Sequence, residues 1–478
     1  MVKLLKKKVI ELSIIIITII ICLSSFIYIS LKETLPGYEL LGLLPLMYMF
    51  SFAIVLIPSI FNDFKVFNLV LTVLSFLRYV VLPFLIVYAD YYGGRSPVPP
   101  TANHYDLALK LMLYELLALT LTILCLDTLR KQRKKKQVHA KNEVKRSSSI
   151  FFYIVFIMVA SIGVLVVPGA LSSVSFLIPS ERVVDVLKTS ALSSILSLYL
   201  FMIAKQIVAL ILTWFFYKKY QATKNKLFVF LAVLVMMLNI GVFAGTNRSD
   251  LVICMISSLF ILHKLFPKQF KKIAFFIVLS VGFIVILIAT VRQIASVSGD
   301  VSKLIDFTDT MQVYLGGPYN VAMALEMKDM FPEASHWSVL LYDIFRPMIG
   351  INVFIKDLPI DYSVLYYNRR YFFSDKVTQI LPMIGQGTLY FGYIGAPIIM
   401  VGFVSIAYYF QKIMGQSRNL ELVYFLTLAT ARMGFLLGQN TMNMVNDMSY
   451  NLLLFLFIYL LNKKIIYKKR MLNYDEKI

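Results

Sequence analysis

The stretch Val9–Leu31, with the sequence VIELSIIIITIIICLSSFIYISL, contains a single charged residue, Glu11. An α-helix crosses the roughly 30 Å hydrocarbon core of a bilayer in about 20 residues, so this stretch is long enough to span it. Four lysines precede it within the first eight residues, but no small-residue cleavage site of the signal-peptide kind follows. We therefore predict an uncleaved first transmembrane helix.

The composition of the whole chain agrees with a membrane environment. Hydrophobic residues make up 59% of the 478 residues and charged residues 15%, with a mean hydropathy of +0.76. Soluble domains contain roughly 45–50% apolar and about 25% charged residues. The bilayer is therefore expected to be the main solvent of this fold.

Apolar runs of similar length recur along the chain. They lie at 9–31, 40–61, 69–89, 107–126, 150–170, 191–217, 227–244, 251–265, 273–290, 381–410, 420–437 and 445–461. The tenth run contains glycine and proline, which favours a break within it. We predict an all-α polytopic membrane protein, a single integral membrane domain of residues 1–478 with about twelve transmembrane helices. One large external loop containing helices, residues 291–380, is expected between transmembrane helices 9 and 10.

The charged loops set the predicted orientation. Of the 47 Lys and Arg residues, 30 fall in the loops on one side when Lys264, at the end of the eighth run, is counted with them, 13 in those on the other and four within apolar runs. The most basic loop is Arg130–Arg146, RKQRKKKQVHAKNEVKR. Cytoplasmic loops retain such residues, so we predict a bacterial inner or plasma membrane protein with both termini cytoplasmic. The net charge of +21 is explained in this way, without nucleic-acid binding.

Two charges lie inside neighbouring apolar runs. Arg78 is about nine residues from the inner end of the third run, and Glu115 about nine from the outer end of the fourth. At about 1.5 Å per residue, both lie roughly 14 Å into the core. Helices joined by a short loop pack as neighbours, so we expect an ion pair that lowers the cost of burying either charge alone.

Arginines on the predicted outer side are candidate ligands of a lipid diphosphate. Guanidinium groups bind phosphate oxygens in a bidentate manner and remain charged; ordinary contact with lipid headgroups is the alternative. The candidate diphosphate ligands are Arg248, Arg292, Arg346 and Arg432, the last within an apolar run, where a charge is costly. Arg369 and Arg370 stand together in a tyrosine-rich segment and are candidate glycan ligands.

Candidate bases and amides complete the predicted site. His336 in the large loop is a candidate general base toward a sugar hydroxyl, and a surface histidine is the alternative. The external carboxylates that compete with it are Asp250, Asp300, Asp306 and Asp309, of which we single out Asp250. Asn440 and Asn443 lie in the amide-rich segment Gly438–Tyr450, and amides bind sugar hydroxyls as donors and acceptors.

Nucleotide and metal motifs are absent from the sequence. It contains no GK[ST] phosphate loop, no HExxH and no CxxC, and no external DxD pair of the kind that holds a divalent metal. We therefore expect neither a metal ion nor another cofactor.

The order of these segments resembles a known family. Several helices are followed by a short loop with Arg248 and Ser249 (GTNRSD), two further helices, and a large external loop with Arg292 at its start. After that loop comes Gly385–Gly395, GQGTLYFGYIG. Over nearly the whole chain this layout resembles the Wzy-type oligosaccharide repeat-unit polymerases, which are related to the O-antigen ligases.

The resemblance implies a GT-C-like membrane glycosyltransferase. Such an enzyme joins undecaprenyl-diphosphate-linked oligosaccharide units into O-antigen, capsule or exopolysaccharide at the outer face of the membrane. By the family pattern, Arg248 and Arg292 hold the diphosphate, and His336 is the candidate for the large-loop histidine of the ligases. The implied partners are the lipid-linked oligosaccharide, membrane lipids, a chain-length-regulating copolymerase and a flippase.

Three rival functions fit the sequence. A ligase that transfers finished glycan to another acceptor is hard to separate from a polymerase. A flippase or transporter of lipid-linked units would have no catalytic step, and transporters often show paired halves, whereas this chain has one dominant loop. A lipid-phosphate-sugar transferase could use Glu33 or Glu39 in the first external loop.

We predict that residues 127–149 are cytoplasmic and residues 291–380 external, because of the charge bias between the loops. In an Ala140→Cys variant, a membrane-impermeant thiol reagent should label the protein only after the cells are opened. A cysteine placed within 291–380 should be labelled in intact cells. Labelling of position 140 in intact cells would contradict the orientation.

Overall fold

The structure is a computed structural model that describes residues 2–62, 65–134, 150–167, 174–177, 192–244, 248–291, 299 and 302–463. It is an all-α membrane protein apart from two short strands. Within the described residues, seven helices are long and apolar enough to cross a membrane. These are Lys8–Ser30, Leu43–Ile60, Val66–Tyr88, Ala102–Arg130, Leu196–Thr223, Ile398–Gln416 and Thr441–Lys463.

The helices and strands follow one another in this order. They are α1 (Val2–Ser30), α2 (Leu43–Ile60), α3 (Val66–Tyr88), α4 (Ala102–Lys134), α5 (Phe151–Val166), β1 (Val174–Phe176), α6 (Leu192–Thr223), α7 (Leu227–Gly241), β2 (Val242–Ala244), α8 (Arg248–Leu265), α9 (Phe270–Val291), α10 (Lys303–Leu315), α11 (Pro318–Met330), α12 (Trp337–Phe345), α13 (Asn352–Ile355), α14 (Ser363–Phe372), α15 (Met383–Gly395), α16 (Ile398–Gln416), α17 (Leu420–Met433) and α18 (Thr441–Lys463).

The chain divides into two compact units, each built from separate stretches of sequence. Unit 1 comprises Met1–His139, Ala295–Gln411 and Arg432–Asn446. Unit 2 comprises Ala140–Ile294, Lys412–Ala431 and Asp447–Ile478.

The expected long tenth span is two helices, as its glycine and proline content predicted. Gly392 adopts a φ of +67°, a backbone conformation that other residues rarely adopt, and it interrupts α15 close to its end. The expected eleventh span, 420–437, is also shorter, because α17 ends at Met433 and a 3₁₀ turn, Leu436–Gly438, follows. Non-helical backbone therefore separates α17 from α18.

The predicted pairing of Arg78 with Glu115 is confirmed within unit 1. Arg78 Nη2 lies 2.9 Å from Glu115 Oε2, and the two side chains are 1% and 0% exposed. Tyr79 Oη donates to the same carboxylate oxygen at 2.8 Å. Arg78 Nη1 also donates to the carbonyl oxygen of Leu437 at 2.6 Å. The ion pair thereby holds the backbone that precedes α18.

Polar contacts join the loops at one end of unit 1. Lys65 pairs with Asp127, and Ser59 Oγ donates to Asp127 Oδ2 at 2.6 Å. Asn68 Nδ2 donates to Tyr408 Oη at 2.9 Å, which adds α16 to the same cluster. All of these residues lie near helix ends that the sequence assigns to the cytoplasmic side.

A second set of contacts joins loops that the sequence assigns to the external side. Arg95 Nε lies 2.6 Å from Asp309 Oδ2, and His104 Nε2 lies 3.0 Å from Asp329 Oδ2. The loop between α3 and α4 therefore contacts α10, and the first turn of α4 contacts α11, so these segments lie on the same side of unit 1.

In unit 2, a lysine within a membrane-spanning helix binds the end of a neighbouring helix. Helix α7 ends at Gly241, and β2 continues from it to pair antiparallel with β1. Lys205 Nζ donates to the carbonyl oxygens of Asn239, at 2.6 Å, and Val242. A cation suits these carbonyls because the last carbonyls of a helix have no partner within it.

We predict that Arg78→Ala and Glu115→Ala each lower the free energy of unfolding by about 3–5 kcal/mol, because each leaves a buried charge alone. The double variant should lose less than the sum of the two. Denaturation in detergent would measure these values. Lys110→Ala is the matched control, because Lys110 pairs with Asp106 on the exposed surface of α4 and such pairs contribute at most about 1 kcal/mol. Additive losses in the double variant would contradict a direct pairing.

Candidate functional site

A buried carboxylate organises the loop helices of unit 1. Asp343 in α12 is 0% exposed. It accepts hydrogen bonds from Ser363 N at 3.1 Å, Gln386 Nε2 at 2.8 Å and Tyr390 Oη at 2.9 Å, and a further one from Ser363 Oγ. Burial of a carboxylate is costly without such donors. We call Asp343, Ser363, Gln386, Tyr390 and Thr441 the Asp343 network.

Gln386 extends this network to the start of α18. Its Oε1 accepts hydrogen bonds from both the backbone N and the Oγ1 of Thr441, each at 2.8 Å. The adjacent Gly387 has no room for a side chain, because a Cβ atom there would lie 1.9 Å from the carbonyl oxygen of Ala396. The segment GQGTLYFGYIG thus supplies one buried amide and the close packing that positions it.

Arg346 lies next to this network and forms no ion pair within the described part of the chain. It follows directly after α12 and is half-buried. Its guanidinium carbon is 4.2 Å from the ring centre of Tyr362, and Nη1 lies 3.6 Å from Met442 Sδ. Nε is buried and has no hydrogen-bond partner among the described residues. We call Arg346, Tyr362, Met442 and Asn443 the Arg346 site.

The amide-rich segment forms one wall of the Arg346 site, beside Met442. Asn440 Oδ1 accepts from the backbone N of Asn443 at 2.8 Å, so Asn440 caps the start of α18. Asn443 Nδ2 donates to Gln439 Oε1 at 3.0 Å. The structure therefore places two of the predicted amides, Asn440 and Asn443, within two residues of Met442, which Arg346 contacts.

Two further arginines of the large loop, Arg369 and Arg370, already hold carboxylates. Arg369 pairs with Asp361 at 2.5 Å and with Asp375 at 2.6 Å. Arg370 is 1% exposed and pairs with Glu326. Arg370 thus lies within the packing of α14 on α11, whereas Arg369 is on the surface.

Arg369 also lines a shallow depression of about 390 Å³ that is open to solvent. The other residues around it are Phe331, Phe373, Ser374 and Asp375. Aromatic rings combined with a few polar groups are typical of small-molecule sites.

His336 lies at the other end of α12 from Arg346. It is exposed and precedes the first residue of the helix. Ten residues separate the two, which is about 15 Å along a helix axis. The two side chains therefore belong to opposite ends of the helix.

The other predicted residues are distributed over both units. In unit 2, Arg248 is the first residue of α8, and Asp250 lies in the first turn. In unit 1, Arg432 is buried in the last turn of α17, and Asp309 is buried against Arg95 and Tyr91. Arg292 and Asp300 lie outside the described residues, and Asp306 is half-buried in the first turn of α10.

Burial raises the pKa of two loop carboxyls. The pKa of Asp343 lies above its usual value of 3.8 because the group is enclosed by protein, and its hydrogen bonds offset only part of that effect. Burial also raises the pKa of Asp309, against the opposing charge of Arg95.

Sequence reasoning missed Asp343, Gln386 and Tyr362. Asp343 interrupts the apolar spacing of α12, and Gln386 lies within the segment that carries the family resemblance. A charge inside an amphipathic stripe is the one signal that could have identified Asp343, because a buried carboxylate requires dedicated donors.

The described residues contain no group of three or more His, Cys, Asp or Glu side chains arranged to hold a metal ion. No protein-family model, curated protein or solved structure matches the chain.

We predict that Asp343 makes stability depend on pH. A carboxyl whose pKa is raised in the folded state binds protons more tightly there, so its contribution is lost as pH rises from about 4 through the raised pKa. The melting temperature of the wild type, measured relative to Asp343→Asn in the same detergent, should therefore fall between pH 4 and neutrality. A difference between the two proteins that does not change with pH would contradict this.

Proposed function

We propose that this protein polymerises undecaprenyl-diphosphate-linked oligosaccharide units into a surface polysaccharide by metal-independent glycosyl transfer. The reaction would take place at the outer face of a bacterial inner or plasma membrane. The observation that carries the proposal is Arg346, a cation held between an aromatic ring and the start of α18 without an ion-pair partner among the described residues.

The surroundings of Arg346 suit a phosphate group. Tyr362 and Met442 contact the guanidinium, and no carboxylate in the described part of the chain pairs with its nitrogens. An anion would supply a charged hydrogen-bond acceptor for this guanidinium, which can bind two phosphate oxygens at once. The start of α18 lies beside it, and the positive end of a helix dipole also favours an anion. Arg248, Arg292 and Arg432 are the further proposed diphosphate ligands.

In the proposed reaction, a hydroxyl oxygen of the acceptor sugar bonds to the anomeric carbon of the donor. The bond from that carbon to the diphosphate oxygen breaks, and undecaprenyl diphosphate leaves with the electron pair. The hydroxyl proton passes to a base, for which His336 and Asp250 are the candidates. Fixed guanidinium groups stabilise the charge that develops on the leaving diphosphate. The rise of about 15 Å along the helix between His336 and Arg346 would place His336 on the acceptor side.

The glycan is proposed to contact the amide and arginine side chains near the Arg346 site. Asn443 is half-buried beside Met442, and Arg369 lines the surface depression. Arg370 and Asn440 are each 1% exposed, so they would position Arg369 and Asn443 from within the protein instead of contacting the glycan themselves. The proposed protein partners are a chain-length-regulating copolymerase and a flippase.

The finer features of the proposed fold are twelve spans, a GT-C-like arrangement and cytoplasmic termini. Two observations support the grouping of the loops into two sides. Segments assigned to the cytoplasmic side meet at Lys65 and Asp127, and segments assigned to the external side meet at Arg95 and Asp309. Each end of unit 1 thus contains loops assigned to one side of the membrane.

We predict that Arg346→Ala lowers polymer about 10- to 100-fold, since one charge-assisted contact contributes about 1.5–3 kcal/mol. Arg248→Ala and Arg292→Ala should lower it similarly. Arg346→Lys should restore polymer only in part, because lysine lacks the planar fork. Polymer length and lipid-linked units would be measured in a deletion strain that expresses each variant.

Lys303→Ala is the matched control, because Lys303 is an exposed cation in the same loop, and this variant should make normal polymer. The deletion strain should accumulate single lipid-linked units on the outer face. Units trapped on the inner face would identify a flippase instead. Normal polymer in a well-expressed Arg346→Ala protein would contradict the assigned role of Arg346.

A further inference from the structure

One face of α12 is apolar and exposed. Trp337, Leu341 and Phe345, spaced four residues apart, are 61%, 51% and 39% exposed. Positions with this spacing lie on the same side of a helix. On the opposite side, Val339 and Leu340 are buried. The helix therefore has a buried, protein-facing side and a side whose apolar residues are largely exposed.

The chain after α12 continues this apolar surface. Four of its residues are exposed to between 40% and 84%: Ile351, Val353, Phe354 and Leu358. Soluble proteins rarely expose so many large apolar side chains together, and such a patch usually marks a contact with a protein or a membrane. We call Trp337, Leu341 and Phe345, with these four residues, the α12 face.

Contacts within unit 1 connect the α12 face to a membrane-spanning helix. The ring of Trp337 lies 5.5 Å from that of Phe391 in α15. Three residues further on, the carbonyl oxygen of Ile394 accepts a hydrogen bond from Tyr114 Oη at 2.8 Å. Tyr114 lies within the span Ala102–Arg130, and the side chain of Ile394 is 89% exposed. Trp337 therefore lies beside the end of α15, where a large apolar side chain is exposed and the backbone is bonded to a membrane-spanning helix.

The residue types of the α12 face suit the boundary between headgroups and acyl chains. Tryptophan is enriched at this boundary, where its ring is partly apolar and its N–H remains hydrated. Arg346 and Lys356 lie in the same segment, and long basic side chains reach from apolar surroundings to headgroup phosphates. An interface with a second copy of this protein would not require tryptophan and long basic side chains together.

We propose that the α12 face docks on the lipid of the same bilayer that the helices cross. The large loop would then be anchored in the membrane interface instead of standing free in water. This placement is independent of the proposed reaction. It also accounts for the position of Arg346, which directly follows the face and would lie at the level of lipid phosphates.

Tryptophan fluorescence can test this docking directly, because the chain contains two tryptophans, Trp214 and Trp337. In a Trp214→Phe variant, reconstituted in phosphatidylcholine vesicles, all tryptophan emission comes from Trp337. Lipids brominated near the top of the acyl chain should quench this emission more strongly than lipids brominated near its end. Aqueous iodide should quench it only weakly. If Trp214→Phe does not fold, Trp214→Tyr serves the same purpose.

The Trp337→Phe variant is the matched control, since its remaining Trp214 lies in the span Leu196–Thr223 and gives the quenching of a partly exposed tryptophan within a membrane-spanning helix. A loss of Trp337 emission comparable with that of this control supports the docking. Strong quenching by iodide together with no effect of brominated lipid would overturn it. Emission protected from both quenchers would indicate a protein contact and would also overturn it.

Discussion

The candidate site in unit 1 depends on one buried ion pair. Arg78 and Glu115 lie within neighbouring membrane-spanning helices, where a single charge would be costly. The pair also serves a second purpose, because Arg78 donates to the carbonyl oxygen of Leu437 where the chain is not α-helical. Non-helical backbone at membrane depth needs a partner from the protein, since lipid offers none. The position of the segment before α18 is therefore fixed from inside the membrane.

A chain of hydrogen bonds joins the segment before α18 to α12, which Arg346 directly follows. Thr441 binds Gln386, and Gln386 binds Asp343, which lies one helical turn before Arg346. Each member is buried, and burial makes a missing partner expensive. The Arg346 site is thus held by the packed core of unit 1, although Arg346 itself belongs to a loop between membrane spans. Such rigidity would suit the proposed binding of a phosphate group in one orientation.

The sequence was sufficient for the membrane class, for the Arg78–Glu115 pair and for the break in the tenth span. Each follows from a strong local signal: the length of the apolar runs, the distance of a charged residue from the end of its run, or glycine within a predicted helix. The Asp343 network was not predictable, because its members are up to 98 residues apart and only the fold brings them together. Arg370 was predicted as a glycan ligand because it adjoins Arg369 in the sequence. The fold instead pairs it with Glu326 and leaves it 1% exposed.

The central claim is that Arg346 binds the diphosphate of a lipid-linked substrate. The most direct measurement is a cryo-electron microscopy structure of the full-length protein in a lipid nanodisc with undecaprenyl diphosphate bound. The account predicts phosphate density within hydrogen-bond distance of the Arg346 guanidinium, about 3 Å, beside the first turn of α18. Diphosphate density elsewhere in the protein, with Arg346 still stacked on Tyr362 and touching no ligand, would contradict it.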